Sequence, residues 1–223
     1  MKANNNLIIE KERLLLVEGN GDRDFFRCLL SDIGIENIQV VCFGGKDSLT
    51  SKKGFIDELS VILLSKEKVD IKVVGIVLDA DLSQIDSRID KVNTFIEKIN
   101  SRKIKNLFFE KIKKCGTFTK NKTKIGTFIM PDCKNQGMLE TLCIKSLEQE
   151  PIFNCIENYI SCVTGILGTL EKVDKRKVQI YIAAKTKDCE EKNIGHAINS
   201  EMFDLSHNVF NEIKDFLTIM SQI

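Results

Sequence analysis

The sequence predicts an α/β fold with a mainly parallel central sheet flanked by helices. Short apolar runs at residues 13–17, 38–43 and 71–81 indicate buried strands, and each is followed by a segment that predicts a helix. Apolar residues on both faces of 71–81 are typical of a central parallel strand. Strands that alternate with helices indicate βαβ units with right-handed crossovers, and therefore parallel neighbours.

The segments between and after these strands are predicted to be mainly helical. Asp22 is placed to cap the first helix, whose apolar residues recur until Gly34. Residues 106–131 have another pattern, which favours two strands joined by a lysine-rich tip. The remaining helices are expected at about 49–64, 83–101, 152–170, 175–187 and 209–220. We therefore predict an α/β domain at 1–147 and a helical C-terminal region at 148–223 that packs on it, either as an annex or within a single domain.

Composition argues against several classes of protein. The chain has 33 basic and 32 acidic residues, so its overall charge indicates neither a nucleic-acid nor a membrane partner. No apolar stretch has the length of a signal peptide or a membrane span, and we expect a cytoplasmic protein without a membrane partner. With two histidines and no CxxC pair, a zinc site is disfavoured, and a metal would be held by carboxylates. Cys155 and Cys162, on an apolar helix, are expected to be core residues.

Acidic residues follow two of the predicted strands. Glu18 comes directly after the first strand, and Asp79 and Asp81 close the third. Because the carboxyl ends of neighbouring parallel strands meet at one edge of the sheet, these side chains are expected to converge. Asp79 and Asp81 point the same way if the strand continues that far. Clustered carboxylates repel one another, and Mg²⁺ or Mn²⁺ would offset that repulsion. Each acid taken alone can be a solvated turn residue or a helix cap, and for an isolated Asp-x-Asp that is the better explanation.

The same residues carry a resemblance to a known family. LLLVEGNGDRDFF at 14–26 and VGIVLDAD at 74–81 resemble the TOPRIM (topoisomerase-primase) domain, in which an apolar strand ends in Glu-Gly and a later one in Asp-x-Asp. The resemblance implies that Glu18 acts as a general acid or base or as a metal ligand. It also implies that Asp79 and Asp81 hold Mg²⁺.

The chain as a whole resembles a small bacterial TOPRIM-like family related to the overcoming-lysogenisation-defect (OLD) nucleases. The resemblance lies in VEGNGDRDFF, VLDAD, GTFIMPD with GMLETL, and NIGHAI before an aromatic helix. It implies Mg²⁺-dependent nucleic-acid cleavage, a role in phage defence, and further acidic ligands. The matching acids are Asp22, Asp132 and Glu140.

Two further parts are implied by that resemblance. One is a catalytic lysine, for which three residues compete: Lys46 in the glycine-rich turn, Lys175 and Lys185. The other is an ATPase domain, which the related nucleases often carry fused to the nuclease. An ATP-driven step in this protein is therefore expected to need a partner ATPase.

A local excess of positive charge lies between Lys98 and Lys124, where ten Lys and Arg residues accompany one acid, Glu110. Phe108, Phe109 and Phe118 are interleaved with the lysines. Such a segment can follow a phosphate backbone while its aromatic rings stack on bases. It is equally well explained as a lysine-coated hairpin whose phenylalanines are buried.

Three functions fit these patterns. The leading hypothesis is a Mg²⁺-dependent nuclease that acts on DNA or RNA through the Glu18, Asp79 and Asp81 carboxylates. The second is a non-catalytic TOPRIM module that binds nucleic acid or a partner ATPase. The third is a glycosyltransferase, in which Asp-x-Asp holds a metal and a nucleotide-sugar, although this leaves Glu18 and Gly19 unexplained.

Overall fold

The central sheet is built from short apolar strands. The computed structural model describes residues 8–43, 69–103, 108–186, 194–199 and 201–223. Within these residues the strands are β1 (Arg13–Val17), β2 (Ile38–Cys42), β3 (Val73–Asp79) and β4 (Lys124–Met130). They form a parallel sheet in the order β2-β1-β3-β4. The predicted α/β fold with a parallel central sheet is confirmed.

The sheet is buried on both faces. Leu14, Leu15 and Leu16 of β1 are fully buried, although consecutive strand side chains point to opposite faces. Leu15 belongs to the apolar cluster on one face, whereas Leu14 and Leu16 belong to the cluster on the other. An all-parallel sheet is stable only when both of its faces are covered, which explains the continuous apolar runs in the sequence.

Helices cover the two faces. Their bounds are α1 Asn20–Asp32, α2 Ile85–Ser101, α3 Leu139–Lys145, α4 Pro151–Leu167, α5 Val173–Lys185, α6 Ile194–Asn199 and α7 Asn211–Gln222, with a 3-10 turn at Asn208–Phe210 before the last. Phe95 and Ile96 of α2 are buried on one face, and Phe25 and Phe26 of α1 on the other. The helix predicted at 49–64 lies outside the described residues. In the residues that the structure does describe, no helix is long and apolar enough to cross a membrane.

The helical C-terminal region packs on the sheet. Tyr181 of α5 and Phe216 of α7 belong to the same apolar cluster as Phe128 of β4. The ring centroid of Phe216 lies 5.6 Å from that of Phe128, and the Tyr181 hydroxyl donates a hydrogen bond of 2.6 Å to the carbonyl of Met202. A boundary between two domains near residue 147 stays a prediction.

The segment before β4 matches the predicted pair of strands only in part. Residues 108–114 form no strand. Residues 115–119 run antiparallel along 125–127 of β4, joined to it by backbone hydrogen bonds of 2.7 and 2.9 Å. A bridge joins Phe118 to Gly126, and an added Cβ at Gly126 would come within 2.6 Å of the Phe118 ring. The outer edge of β4 is therefore covered by a short stretch of its own chain.

Side-chain amides on α2 explain why residues 108–114 do not need a strand partner. Asn100 exchanges two hydrogen bonds, of 2.8 and 3.0 Å, with the backbone carbonyl and N–H of Phe109. Asn93 does the same for Ile112, at 3.0 and 2.8 Å. Because buried backbone groups must be paired, these two asparagines replace the ladder of a sheet.

The bonding and exposure of the cysteines depart most from the sequence prediction. Cys115 and Cys133 form a disulfide, with their Cα atoms 5.5 Å apart, that joins the edge segment to the turn after β4. Cys155 and Cys162 are exposed on α4, so the prediction that they are core residues is wrong. The helix buries Ile156 and Ile160 instead and turns the cysteines outward.

Candidate functional site

Two neighbouring strands end in acidic residues where the sheet topology reverses. β1 is followed by β2 on one side of it, whereas β3 lies on the other side and is followed by β4. Ligands of open α/β sheets bind in the crevice beyond the carboxyl ends of the strands at such a point. Glu18 directly follows β1 and is only 6% exposed, and Asp79 is the last residue of β3. The fold therefore brings these two predicted residues to one edge of the sheet.

Asp79 lies where the negative charges meet. Its Oδ1 accepts a hydrogen bond of 3.1 Å from the N–H of Leu139, the first residue of α3. Burial raises the pKa of Asp79 well above its ordinary value. The pKa is raised further by the charges of four other acids: Asp22, Glu18, Glu140 and Asp81. All four belong to the set predicted from the sequence.

Asp22 lies in the first turn of α1 and faces the same crevice. Its Oδ2 accepts a hydrogen bond of 2.8 Å from the N–H of Gly19, as the predicted capping role requires, although the helix begins at Asn20. Burial is the main reason why the pKa of Asp22 is raised to about 6, and the charge of Glu140 adds to it. The Gly19 hydrogen bond and the charge of Lys175 act in the opposite direction.

The backbone at Asp81 does not continue the strand, so Asp79 and Asp81 do not follow the strand alternation that the sequence predicts. β3 ends at Asp79, and Asp81 has a φ of 53°, so the strand does not continue to the second aspartate. The Oδ2 of Asp81 accepts a hydrogen bond of 2.8 Å from Arg88, which is only 5% exposed. Arg88 also donates twice to the carbonyl of Ala80, at 3.2 and 3.1 Å. This arginine therefore fixes the turn that carries Asp81.

Glu140 brings one candidate lysine to the crevice. Glu140 lies in the first turn of α3, and its Oε1 is 3.8 Å from the Nζ of Lys175 in α5. The charges of Glu140 and Lys175 both act on Asp22. Lys175 is thus the candidate lysine that the structure places beside the acids.

The other candidates do not join this group. Lys185 lies ten residues after Lys175 on α5, about 15 Å along the helix, and it pairs with Glu150 at 3.5 Å. Asp132 is committed to its own turn, where its oxygens accept hydrogen bonds from Asn135 at 2.8 Å. Burial raises the pKa of Asp132, but these hydrogen bonds help to hold it below its ordinary value. Lys46 lies outside the described residues.

Sequence reasoning missed two residues that support the site. Arg88 occupies the same helical face as the buried Val92 and Ile99. A charged residue on an otherwise apolar face was the one sign in the sequence that it is buried and paired. Asp174 had no such signal. Its Oδ2 accepts a hydrogen bond of 2.6 Å from the hydroxyl of Thr141, which ties α3 to the start of α5.

The donor chemistry of the crevice fits a hard divalent cation. Carboxylate oxygens are the ligands that Mg²⁺ prefers, and the raised pKa of Asp79 shows that its negative charge is poorly compensated by the protein. Glu18, Asp22, Asp79 and Glu140 are the residues that would hold the ion. Within the described part of the chain, no three His, Cys, Asp or Glu side chains already stand in metal-ligand geometry. Binding would therefore require these side chains to rearrange.

The raised pKa values predict an unusual dependence of stability on pH. Asp22 has a folded-state pKa of about 6 against an ordinary value of 3.8, so between these values the folded protein holds a proton that the unfolded chain has lost. The free energy of unfolding is therefore expected to fall as pH rises through about 6. Thermal melts in a chelator, from about pH 4 to about pH 8, would measure this loss. Asp22→Asn should flatten the profile, and an equally steep profile in that variant would contradict the assignment.

Fold and site together define an α/β protein with an acidic crevice at the switch point of a parallel sheet. The chain belongs to the family described as protein of unknown function (DUF3226), whose model matches residues 12–221. No curated protein gave a significant sequence match.

Solved structures with a similar course of the chain include the C-terminal region of the Xanthomonas campestris pv. campestris OLD protein. The form phased with mercury is 13% identical, with a TM-score of 0.45, covering 96% of this chain and 98% of that one. The form phased with iodine is 14% identical, with a TM-score of 0.38, covering 95% of this chain and 98% of that one.

Proposed function

We propose that this chain is a TOPRIM-like module that cleaves phosphodiester bonds of nucleic acid with the help of Mg²⁺ or Mn²⁺. One observation carries the proposal. Glu18 and Asp79 lie at the carboxyl ends of adjacent parallel strands, and the charges of Asp22, Asp81 and Glu140 act on Asp79 as well. A concentration of buried negative charge disfavours the folded state unless a cation offsets it.

Each residue has a chemical role in this proposal. Bound at these carboxylates, Mg²⁺ would polarise a phosphoryl oxygen and make a bound water more acidic. Glu18 accepts the proton of the attacking water, or returns one to the leaving oxygen. Lys175, 3.8 Å from Glu140, supplies positive charge at the rim of the crevice for a phosphate oxygen.

The lysine-rich segment supports a nucleic-acid substrate. Lys113 and Lys114 are exposed and directly precede Cys115, whose disulfide to Cys133 holds them near the carboxyl end of β4. Of the three aromatic residues here, Phe108 is 63% exposed and Phe109 only 2%. The third, Phe118, stacks on Phe216 with ring centroids 4.7 Å apart. The lysines are thus available to bind phosphates. Of the three rings, Phe108 is the one that is exposed enough to stack on a base.

A second function is favoured by the pairing of Asp81 with Arg88. Because this ion pair holds one predicted metal ligand, the module can instead bind nucleic acid, or a partner ATPase, without cleaving. Binding through lysines would then be salt-sensitive and would survive the loss of Asp79. Cleavage that depends on Asp79 would exclude this alternative.

Cleavage assays with the purified protein test the proposal directly. Labelled single-stranded and double-stranded DNA and RNA are incubated with Mg²⁺, Mn²⁺ or a chelator. We expect cleavage of at least one substrate with a divalent cation, none with the chelator, and none by Glu18→Gln. Glu148→Gln, at an exposed position outside the crevice, is the matched control and should retain full activity. Cleavage that persists in the chelator or in Glu18→Gln would refute the proposal.

A further inference from the structure

The disulfide between Cys115 and Cys133 joins two segments that serve the crevice in different ways. Directly before Cys115 lie the exposed Lys113 and Lys114, which the proposed function assigns to phosphate binding. Cys133 belongs to the turn 131–137 that follows β4. One covalent bond therefore ties the lysine-bearing segment to the carboxyl end of the sheet.

The turn 131–137 is also attached to the acids of the crevice. Asp81 and Gly137 exchange two backbone hydrogen bonds, of 2.6 and 2.9 Å. Two residues after this turn, the N–H of Leu139 donates to the Asp79 carboxylate at 3.1 Å. The disulfide thus connects the lysines, through one short turn, to two of the crevice acids.

The attachments that remain after reduction are weaker than a covalent bond. Before the lysines, the backbone of Ile112 is held by the side chain of Asn93. After them, the N–H groups of Gly116 and Thr119 donate to β4 at 2.7 and 2.9 Å. Such hydrogen bonds contribute little net free energy, because the released groups bond to water instead. Reduction is therefore expected to loosen the lysine-bearing segment.

The two sulfur atoms differ in access. Cys115 is 8% exposed, whereas Cys133 is half-buried. The N–H of Ile129 donates to the Sγ of Cys115 at 3.1 Å and to the Sγ of Cys133 at 3.5 Å. Thiol–disulfide exchange is faster where the attacked sulfur is accessible and the leaving thiolate is stabilised. This geometry favours attack at Cys133, with Cys115 as the leaving group.

We propose that this disulfide is a redox switch that sets how tightly Lys113 and Lys114 hold nucleic acid, an inference that rests on the nucleic-acid binding in the proposed function. A dithiol reductant attacks the Sγ of Cys133, so that a mixed disulfide forms and the bond to Cys115 breaks. Cys115 leaves as a thiolate and takes up a proton. The second thiol of the reductant then closes its own disulfide and releases Cys133. Two electrons and two protons pass to the protein, and exchange with a small disulfide reverses the reaction.

The oxidised form is the one that binds tightly. The disulfide orders Lys113 and Lys114 before nucleic acid arrives, so less conformational entropy is lost on binding, and reduction should weaken binding roughly tenfold. In a cytoplasmic protein, as the sequence predicts here, a disulfide is usually transient and redox-sensing. Reversible formation of this bond is what a switch requires.

Fluorescence anisotropy of labelled single-stranded and double-stranded DNA and RNA, in a chelator, tests the switch. The full chain is compared after oxidation with glutathione disulfide and after reduction with dithiothreitol, and the oxidised form should bind roughly tenfold more tightly. Cys115→Ser with Cys133→Ser should bind like the reduced wild type, with or without reductant. Cys155→Ser with Cys162→Ser, exposed on α4, is the matched control and should keep the full redox response. Circular dichroism checks that each variant is folded.

Two further measurements identify the groups that act. Lys113→Gln with Lys114→Gln should bring the oxidised protein to the affinity of the reduced one and remove most of the redox response. Brief exposure to glutathione, followed by alkylation and peptide mass spectrometry, should find the mixed disulfide on Cys133. A mixed disulfide mainly on Cys115 would overturn the assigned point of attack.

The switch and the proposed cleavage can fail separately. Equal affinity of the oxidised and reduced forms, or tighter binding by the reduced form, would overturn the switch, as would an oxidised chain in which Cys115 and Cys133 are not joined. None of these results bears on cleavage, which is tested through Glu18. A chain that binds more tightly when oxidised but cuts no substrate would support the switch and refute the cleavage.

Discussion

Asp79→Asn is expected to abolish metal-dependent cleavage and, in the same protein, to raise thermal stability. The amide keeps the size of the side chain but removes the charge that four other acids oppose. Loss of a metal-holding carboxylate should lower the cleavage rate by more than about 100-fold, since even groups that only support a metal ligand have effects of 10–100-fold. Stability should increase, because a buried charge repelled by its neighbours destabilises the folded state.

The opposite signs make this prediction specific. An ordinary destabilising substitution lowers activity and melting temperature together, whereas Asp79→Asn should lower only the first. The comparison is made at about pH 7.5 in a chelator for stability and with Mg²⁺ for activity. Asp90→Asn, at an exposed position on α2, is the control and should change neither. A drop in melting temperature for Asp79→Asn would contradict the electrostatic account of the crevice.

Arg88→Met is expected to destabilise the protein by about 3 kcal/mol, the range found when one partner of a buried ion pair is removed. The arginine is 5% exposed, and it donates to the Asp81 carboxylate and to the Ala80 carbonyl. Methionine fills a similar volume but removes the hydrogen bonds that Arg88 donates to both acceptors. Urea denaturation measures the change.

A second substitution identifies the cause of that loss. In Asp81→Asn with Arg88→Met, the carboxylate charge that Arg88 balances is also removed, and part of the stability should return relative to Arg88→Met alone. Because Arg88 also fixes the turn after β3, cleavage should fall in both variants. A loss of stability below about 1 kcal/mol, typical of an exposed pair, would show that Arg88 does not hold this turn.

The fold was predictable because most strands of the sheet are buried on both faces and are therefore apolar along their whole length. The runs at 13–17, 38–43 and 71–81 alternate with helical segments, and two-sided burial of Leu14 and Leu15 requires a continuous apolar pattern of this kind. The first of the two strands predicted within 106–131 is only the short stretch 115–119, because side chains distant in sequence, Asn93 and Asn100, pair with the backbone of the residues before it. Such pairing has no local signature.

The site was predictable to the level of which strand ends meet, but not to the level of individual partners. Glu18 follows β1 and Asp79 ends β3, and strand order brings the two together. The orientation of Asp81 depends on an arginine seven residues later, and only the spacing of Arg88 on an apolar face hinted at it. The exposure of Cys155 was missed because its place on an apolar helix predicted a core residue, whereas α4 buries one narrow side.

The stretch at 115–119 that lies along β4 decides how this molecule can meet other proteins. Its hydrogen bonds to 125–127 occupy backbone groups that would otherwise invite a foreign strand. A foreign strand can therefore pair with these groups of β4 only by displacing the stretch, which protects this part of the sheet from a common first step towards aggregation. A binding partner on that flank meets the side chains of 115–119 before it meets the main chain of β4.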